Sequence, residues 1–279
     1  LNVYAQYTIF RPWIQFTALT TNHFDPVKWM REFCVASPEK QLELCADEQF
    51  RDEIKGAYNP KDLVTAGGSF EFYKLVDPKS EKYAQYSGHP LGDIAEAACC
   101  HVTEVFFEVI AESKGEAIFS LSSQNDDAEI MAKLMNHKRA IAGTSDGGAH
   151  SKFWAGGYYP TDAIKWFTRE TNAVDLEVVH HHLSQIPARA LGLHKRGILV
   201  EGHAADMFIY DHDKIDYASQ FEVRHDQPGD EWRVVITSKG IEWTIVNGEP
   251  TLHGMEPTGA YSGRVLSNGG AALDEKLAS

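Results

Sequence analysis

The stretch Ala140-Ile141-Ala142-Gly143-Thr144-Ser145-Asp146-Gly147-Gly148-Ala149-His150 constrains the fold most strongly. A short apolar run ends in small residues, then a lone carboxylate, two glycines and a histidine. Residues 139–143 read as a brief buried strand, and residues 144–150 as the loop at its C-terminal end. In α/β barrels and open α/β sheets, catalytic groups sit at that end of a strand. Paired glycines let a backbone approach a ligand closely and permit φ > 0. The same Asp-Gly-Gly also suits a plain turn closed by an Asx hydrogen bond, so the stretch taken alone leaves both readings open.

Taken in order, the chain alternates helical and strand-like segments before that loop. Residues 1–10 alternate and are rich in β-formers, so they read as a strand ended by Arg11-Pro12. Arg11 follows the strand's C-terminal end, where a guanidinium can hold a carboxylate; an ordinary surface arginine is the plainer reading. Asp25-Pro26 and Ser37-Pro38-Glu39 each start a helix, the latter with Pro at the first helical position. Residues 70–76 read as a strand, and residues 101–112 as a helix with Val102, Val105, Phe106, Val109 and Ile110 on one face. Residues 118–121 form a short strand. Asn125-Asp126-Asp127 caps a helix over 128–135 that turns Ile130, Met131 and Leu134 inward.

Beyond the loop, three helices are expected over 163–170, 176–183 and 184–191. The second carries His180, His181 and His182, which point about 100° apart and cannot share one metal. They read as a solvated face, with room for one of them to be buried. From Arg196 the texture becomes β: strands over 205–211, 233–238 and 242–246, a polar loop over 212–231, and an Asn247-Gly248 hairpin turn. Residues 196–267 thus make a small β unit near the lower size of an independent domain, and residues 268–279 read as a tail.

Composition removes several function classes. With 279 residues, 43% hydrophobic and 24% charged, the chain can bury a sizeable core. A net charge of -14 without a basic patch argues against nucleic-acid binding. No apolar run approaches the ~20 residues of a membrane span. Four cysteines without CxxC spacing suggest reduced thiols and a cytoplasmic setting rather than a disulfide framework. The chain opens on Leu1 and enters a strand at once, which reads as the C-terminal part of a longer polypeptide.

Three separated blocks then converge. The first is Gly143-Thr144-Ser145-Asp146-Gly147-Gly148-Ala149-His150. The second runs from Pro187-Ala188-Arg189-Ala190-Leu191-Gly192 through Arg196-Gly197-Ile198 to Ala205-Asp206-Met207-Phe208-Ile209-Tyr210-Asp211. The third is Val246-Asn247-Gly248-Glu249 with Thr258-Gly259-Ala260-Tyr261-Ser262-Gly263-Arg264 after it. In this order and spacing they resemble the metal-dependent amidohydrolase superfamily, and within it the branch of N-acyl-D-amino-acid deacylases (D-aminoacylases). The resemblance covers most of residues 139–266. Residues 1–138 match less specifically, through Arg11-Pro12 and the helix near Asp93-Ile94-Ala95.

The resemblance implies an α/β fold: the C-terminal part of a TIM-like (β/α)8 barrel over 1–195, with an inserted α/β lid at about 20–117, plus part of a small β-sandwich. Residues 1–10 would be the seventh barrel strand and residues 139–143 the eighth. Asp146 would then touch zinc or its water and act as general acid/base in hydrolysis of a linear amide, an N-acyl-D-amino acid. His150 would line the pocket or support Asp146. The chain departs from the pattern in two ways. It has no His-x-His on an N-terminal strand, which places the other zinc ligands upstream of Leu1 and predicts poor zinc binding by these 279 residues alone. The arginine that follows the aspartate in D-aminoacylases is also missing, since residues 152–160 hold none. Arg11, Lys152 or Tyr158 is then expected to contact the small-molecule substrate, in a protein that can form oligomers. The alternatives are a cyclic amide or imide hydrolase of the same superfamily, and a non-catalytic barrel relative.

Overall fold

In the computed structural model, the described residues are 3–20, 24–66, 68–121, 125–148 and 151–266, with 64–66 described by their backbone alone. Leu1, Asn2, His150 and the tail beyond residue 266 lie outside them. Of the strand expected over residues 1–10, the described residues 3–4 and 8–10 lie outside any strand and only Ala5–Tyr7 forms one, β1. Its partner lies far along the chain.

The residues that follow β1 build a core of their own. They form β2 (Gln15–Phe16), α1 (Arg31–Val35), α2 (Pro38–Ala46), α3 (Glu48–Ala57), β3 (Lys74–Asp77), α4 (Leu91–Ala98), α5 (Val102–Glu112) and β4 (Ile118–Ser120). The three strands make an antiparallel sheet in the order β2-β4-β3. Helix α5 buries Val102, Val105, Phe106, Phe107, Val109 and Ile110. Phe106 meets Phe70 at 4.4 Å, Phe119 at 5.2 Å and Phe24 at 5.8 Å between ring centroids, so an aromatic cluster holds helix to sheet. Ser37 caps α2 by accepting from the Lys40 amide at 3.3 Å, with Pro38 at the first helical position as the sequence predicts.

One expected strand is shorter than its pattern. Residues 70–72 form a 3-10 turn, and β3 starts only at Lys74. The turn rotates Phe70 and Tyr73 into the core together and leaves Phe72 63% exposed, an arrangement that strand alternation cannot give.

Helix α6 (Ala128–Met135) leads to β5 (Ala140–Ala142), which pairs in parallel with β1: Ala5 lies opposite Ala140 and Tyr7 opposite Ala142. Asp127 caps α6 by accepting from the Ile130 amide at 2.9 Å. The buried stripe of α6 is Met131, Ala132 and Met135, while Ile130 and Leu134 are 55% and 44% exposed. The inward face is therefore rotated from the one expected, because Met131 and Met135, one turn apart, pack beneath β5 with Ala132.

After the β5 loop, α7 (Tyr159–Ile164) widens into π-helical turns over Lys165–Glu170. Helix α8 (Leu176–His180) runs through another π segment, His181–Gln185, into α9 (Ile186–Ala190), so the two helices expected there are one continuous run. Its histidines are less solvated than the expected face implies, one of them being buried. His180 shares a 2.7 Å hydrogen bond with the Tyr210 hydroxyl, and His182 is 4% exposed.

The remainder is antiparallel β: β6 (Met207–Tyr210), β7 (Asp216–Tyr217), β8 (Glu222–Gln227), β9 (Glu231–Val235), β10 (Ser238–Lys239), β11 (Ile241–Val246), β12 (Glu249–His253) and β13 (Glu256–Pro257). A four-stranded sheet runs β13-β12-β11-β6, beside the pairs β8-β9 and β10-β7. Asn247 and Gly248 both take positive φ, 49° and 82°, as a type I′ hairpin requires. The polar loop expected over 212–231 instead carries β7 and β8. Every residue of β8 is exposed, so there is no inward face to leave an alternating signature. This β unit is tied to α7 through polar contacts: Arg169 donates to the His212 and Ile215 carbonyls at 2.8 and 2.7 Å, and Thr161 bonds Ser238 at 2.9 Å. Among the described residues no helix is long and apolar enough to cross a membrane.

Burial holds His180 and His182 below the ordinary histidine value, with the neighbouring His181 adding to the effect on His182. Just below about pH 6.5 the unfolded chain therefore binds protons that the folded chain refuses, and stability falls as pH drops. Thermal unfolding in phosphate-free buffer at pH 7.5 and 5.5 should show a lower Tm at 5.5. The drop should be smaller in His182→Gln; an equal drop would remove His182 as a source.

Candidate active-site loop

Parallel pairing puts the residues after β1 and the residues after β5 at the same end of the strand pair. Arg11 follows one strand and Asp146 the other. The loop that carries Asp146 is held by its backbone. Trp154 donates its indole N–H to the Ser145 carbonyl at 3.3 Å, and Ser145 Oγ accepts from the Gly147 amide at 3.2 Å. The turn is thus closed by serine, and the Asx hydrogen bond admitted by the sequence is not the one formed. Asp146 and Gly148 take positive φ, 49° and 100°. Positive φ is uncommon outside glycine, and aspartate is among the residues that adopt it most readily. The Asp146 side chain is solvent-exposed and has no hydrogen-bond partner among the described residues.

The loop rests on a segment that only glycine permits. A Cβ on Gly156 would stand 1.7 Å from the Ser145 carbonyl oxygen and 2.8 Å from its carbon. Beneath this contact, the buried Phe10 ring packs edge-on against Tyr158 at 5.1 Å and tilts against Trp154 at 6.2 Å. The C-terminal end of β1 therefore supports the β5 loop through aromatic side chains.

Arg11 is fully engaged within the protein. Its Nη2 lies 2.6 Å from Asp162 and its Nη1 2.9 Å from Glu170, its backbone amide donates to Asp162 at 2.8 Å, and its guanidinium sits 5.0 Å over the Trp166 ring. Asp162 is wholly buried and also accepts from the Tyr217 hydroxyl at 2.9 Å. Burial works to lower the Arg11 pKa, but the hydrogen bond and charge of Asp162 outweigh it, with help from Tyr217 and Glu170. The guanidinium stays charged well above its ordinary range. Tyr158 is 1% exposed and donates to the Arg11 carbonyl at 2.9 Å; burial pushes its phenol pKa up. Lys152 is half-exposed, pairs with Glu231 at 2.8 Å and lies 5.1 Å over the Trp232 ring.

Of the residues singled out in the sequence, the structure thus links Arg11 to Tyr158 directly and Tyr158 to the Asp146 loop through Gly156. Lys152 is placed against the β8-β9 hairpin, and His150 lies outside the described residues. Asp162, Glu170 and Tyr217 escaped sequence reasoning. Asp162 reads locally as an ordinary acid in a first helical turn, and nothing in its neighbours signals a partner 151 residues away. A cleft of about 480 Å³ opens beside Arg11, lined also by Trp13, Gln15, Lys74, Ser120 and Tyr217.

No group of three or more His, Cys, Asp or Glu able to hold a metal occurs among the described residues. Asp146 offers one carboxylate, and one donor does not make a metal site.

Two replacements test this arrangement. Gly156→Ala should cost about 3 kcal/mol, the upper end of overpacking penalties, because a backbone carbonyl must move; urea unfolding measures it, and a neutral result would refute the contact. Arg11→Met leaves Asp162 charged and buried without its ion-pair partner and should cost about 3 kcal/mol in the same assay. Arg11→Met with Asp162→Asn should recover part of that loss.

No protein-family model matches the chain. It is 28% identical over 160 residues to an N-acyl-D-aspartate deacylase of Alcaligenes xylosoxydans xylosoxydans, a match that takes in 56% of this chain and 28% of that protein. Among solved structures, a D-aminoacylase aligns over 69% of this chain and 37% of its own, at 20% identity and a TM-score of 0.37. An N-acyl-D-glutamate deacylase from Bordetella bronchiseptica, solved with zinc and a phosphonate inhibitor, aligns over 66% and 35%, at 22% identity and a TM-score of 0.34. Scores this low do not transfer a fold, and the barrel and sandwich are not read from them. The chain spans little more than a quarter of the curated relative it matches. Over those 160 residues the chain is similar to a deacylase of the kind the three sequence blocks resemble.

Proposed function

We propose that the complete protein hydrolyses a linear amide, releasing a D-amino acid from its N-acyl derivative, and that Asp146 moves the proton. The observation that carries this reading is the placement of Asp146. It is an exposed carboxylate with positive φ at the C-terminal end of a strand in a parallel pair, within a chain related to an N-acyl-D-aspartate deacylase. A carboxylate so placed takes a proton from an attacking water and returns it to the departing amine nitrogen, so that the C–N bond breaks to a carboxylic acid and a free amine.

Zinc in such an enzyme lowers the pKa of water and polarises the amide carbonyl. The described residues do not supply a donor set for it, so the part assigned to this chain is limited to Asp146. The Ser145 hydrogen bonds and the Gly156 contact keep the Asp146 backbone in position. Arg11 and Tyr158 act as positioning residues, because their polar atoms are spent on Asp162, Glu170 and each other. Lys152, half-exposed and close along the chain to Asp146, would reach a substrate carboxylate by exchanging its Glu231 partner, with His150 near it in sequence.

The test is release of D-aspartate from N-acetyl-D-aspartate by the complete, zinc-supplied protein, with the L-enantiomer and a cyclic imide run alongside. Activity on the D-amide should exceed both. Asp146→Asn should lower kcat by about 10²–10⁴-fold, the usual range for loss of a general acid/base, with circular dichroism unchanged. Preference for the imide, or full activity in Asp146→Asn, would overturn the reading.

A further inference from the structure

The opposite end of the β1-β5 pair carries a second feature. Tyr4 immediately precedes β1 and Lys138 comes two residues before β5, so both stand at the N-terminal ends of the strands. About 10 Å of strand, three residues at ~3.3 Å each, separates this end from the one carrying Asp146. Here a cleft of about 430 Å³ is lined by Tyr4, Asn136, Lys138, His181, His182 and Arg189.

The charge of that lining is unusual for this chain. The protein carries a net charge of -14, yet no acidic side chain lines the cleft among the described residues. Lys138 and Arg189 are both exposed, and neither forms an ion pair among the described residues. Two cations brought together without a counter-charge repel each other, and an anion between them removes the repulsion. Arginine offers a planar fork matched to an oxyanion, and lysine a mobile point charge.

A second, independent observation points to a ligand. His182 is 4% exposed, and its Nδ1 is a buried atom with no hydrogen-bond partner among the described residues. Buried polar atoms are almost always paired, so an unpaired nitrogen on a ring that lines the cleft marks His182 as a side chain whose hydrogen bonding is incomplete. Asn136 spends its amide N–H on the Ala132 carbonyl at 3.0 Å, which leaves its Oδ1 as an acceptor. Tyr4 and the buried Ile186, which also lines the cleft, supply an apolar surface.

We propose that this cleft binds a small phosphate monoester, its phosphate held by Lys138 and Arg189 beside His181 and His182 and its organic body against Tyr4 and Ile186. Two positive charges match a dianion, and the Tyr4 ring with Ile186 offers an organic body an apolar surface that the bare ion cannot use. The site lies at the strand end away from Asp146, so it is a binding site separate from the proposed hydrolytic one and does not depend on that reading.

The test titrates the full chain at neutral pH and fixed ionic strength with inorganic phosphate and with phenyl phosphate, using chloride as the control. Histidine ring NMR signals and Tm are followed together. Both phosphates should saturate, phenyl phosphate more tightly, with the signals lost in His181→Asn and His182→Asn among those that shift. Lys138→Gln and Arg189→Gln should each weaken binding about tenfold, as loss of a charge-assisted contact does, while Lys79→Gln should leave it unchanged. Arg189→Lys keeps the charge but not the fork and should fall between, which separates loss of binding from loss of folding. Absence of saturable binding, or parental affinity in both Gln variants, would overturn the proposal. Phenyl phosphate binding no more tightly than inorganic phosphate would overturn the assignment to a monoester.

Discussion

The buried carboxylate of Asp162 is the interaction on which this end of the molecule depends. A charge removed from water is tolerable only when its oxygens are filled by donors. Asp162 collects the Arg11 amide and guanidinium from the end of β1 and the Tyr217 hydroxyl from β7, while itself standing in α7. Three segments far apart in sequence are therefore fixed around one side chain. Around it, Glu170 takes the remaining face of the Arg11 fork, and Lys165 bridges Glu170 at 3.3 Å and Asp216 at 2.7 Å. The charges alternate, which is why so polar a cluster can sit among Trp166, Tyr158 and Tyr217.

That network is coupled to the Asp146 loop through backbone and rings. Tyr158 donates to the Arg11 carbonyl, and two residues earlier Gly156 lies against the Ser145 carbonyl with no room for a methyl group. Positions that never touch a substrate can thus set where Asp146 stands. The aromatic core of α5 and the β2-β4-β3 sheet is a distinct cluster from the one formed by Ile9, Met131, Ala142, Trp166 and Phe167. The residues from β2 to β4 consequently bring their own hydrophobic stabilisation, whereas Ile9 and α6 pack with β5 in the second cluster.

The two ends of the β1-β5 pair differ in electrostatic character. After the strands come a lone exposed carboxylate and a neutralised network of alternating charges. At the other end stand Lys138, Arg189 and two histidines, with no acidic side chain beside them in the cleft lining among the described residues. Strand polarity alone accounts for the separation, because parallel neighbours present their beginnings on one side and their ends on the other.

Local patterning determined a good deal. The apolar-to-glycine transition at 140–148 marked a strand and its loop, Ser37-Pro38 and Asp127 marked helix starts, and Asn247-Gly248 marked a hairpin, because caps and tight turns depend on residues adjacent in the chain. Three spaced blocks were enough to indicate the resemblance to N-acyl-D-amino-acid deacylases, and a curated N-acyl-D-aspartate deacylase is similar over 160 residues. Other features were invisible locally. Strand β8 has no buried face to alternate, the residues over 176–190 run on as one helix through a π segment, and the inward stripe of α6 is chosen by what packs against it. The partners of Arg11 likewise became known only from the fold. Its sequence context allows a free guanidinium at a strand end, and only the tertiary structure brings Asp162 from 151 residues away to occupy it, because a long-range ion pair is decided by packing that no local pattern encodes.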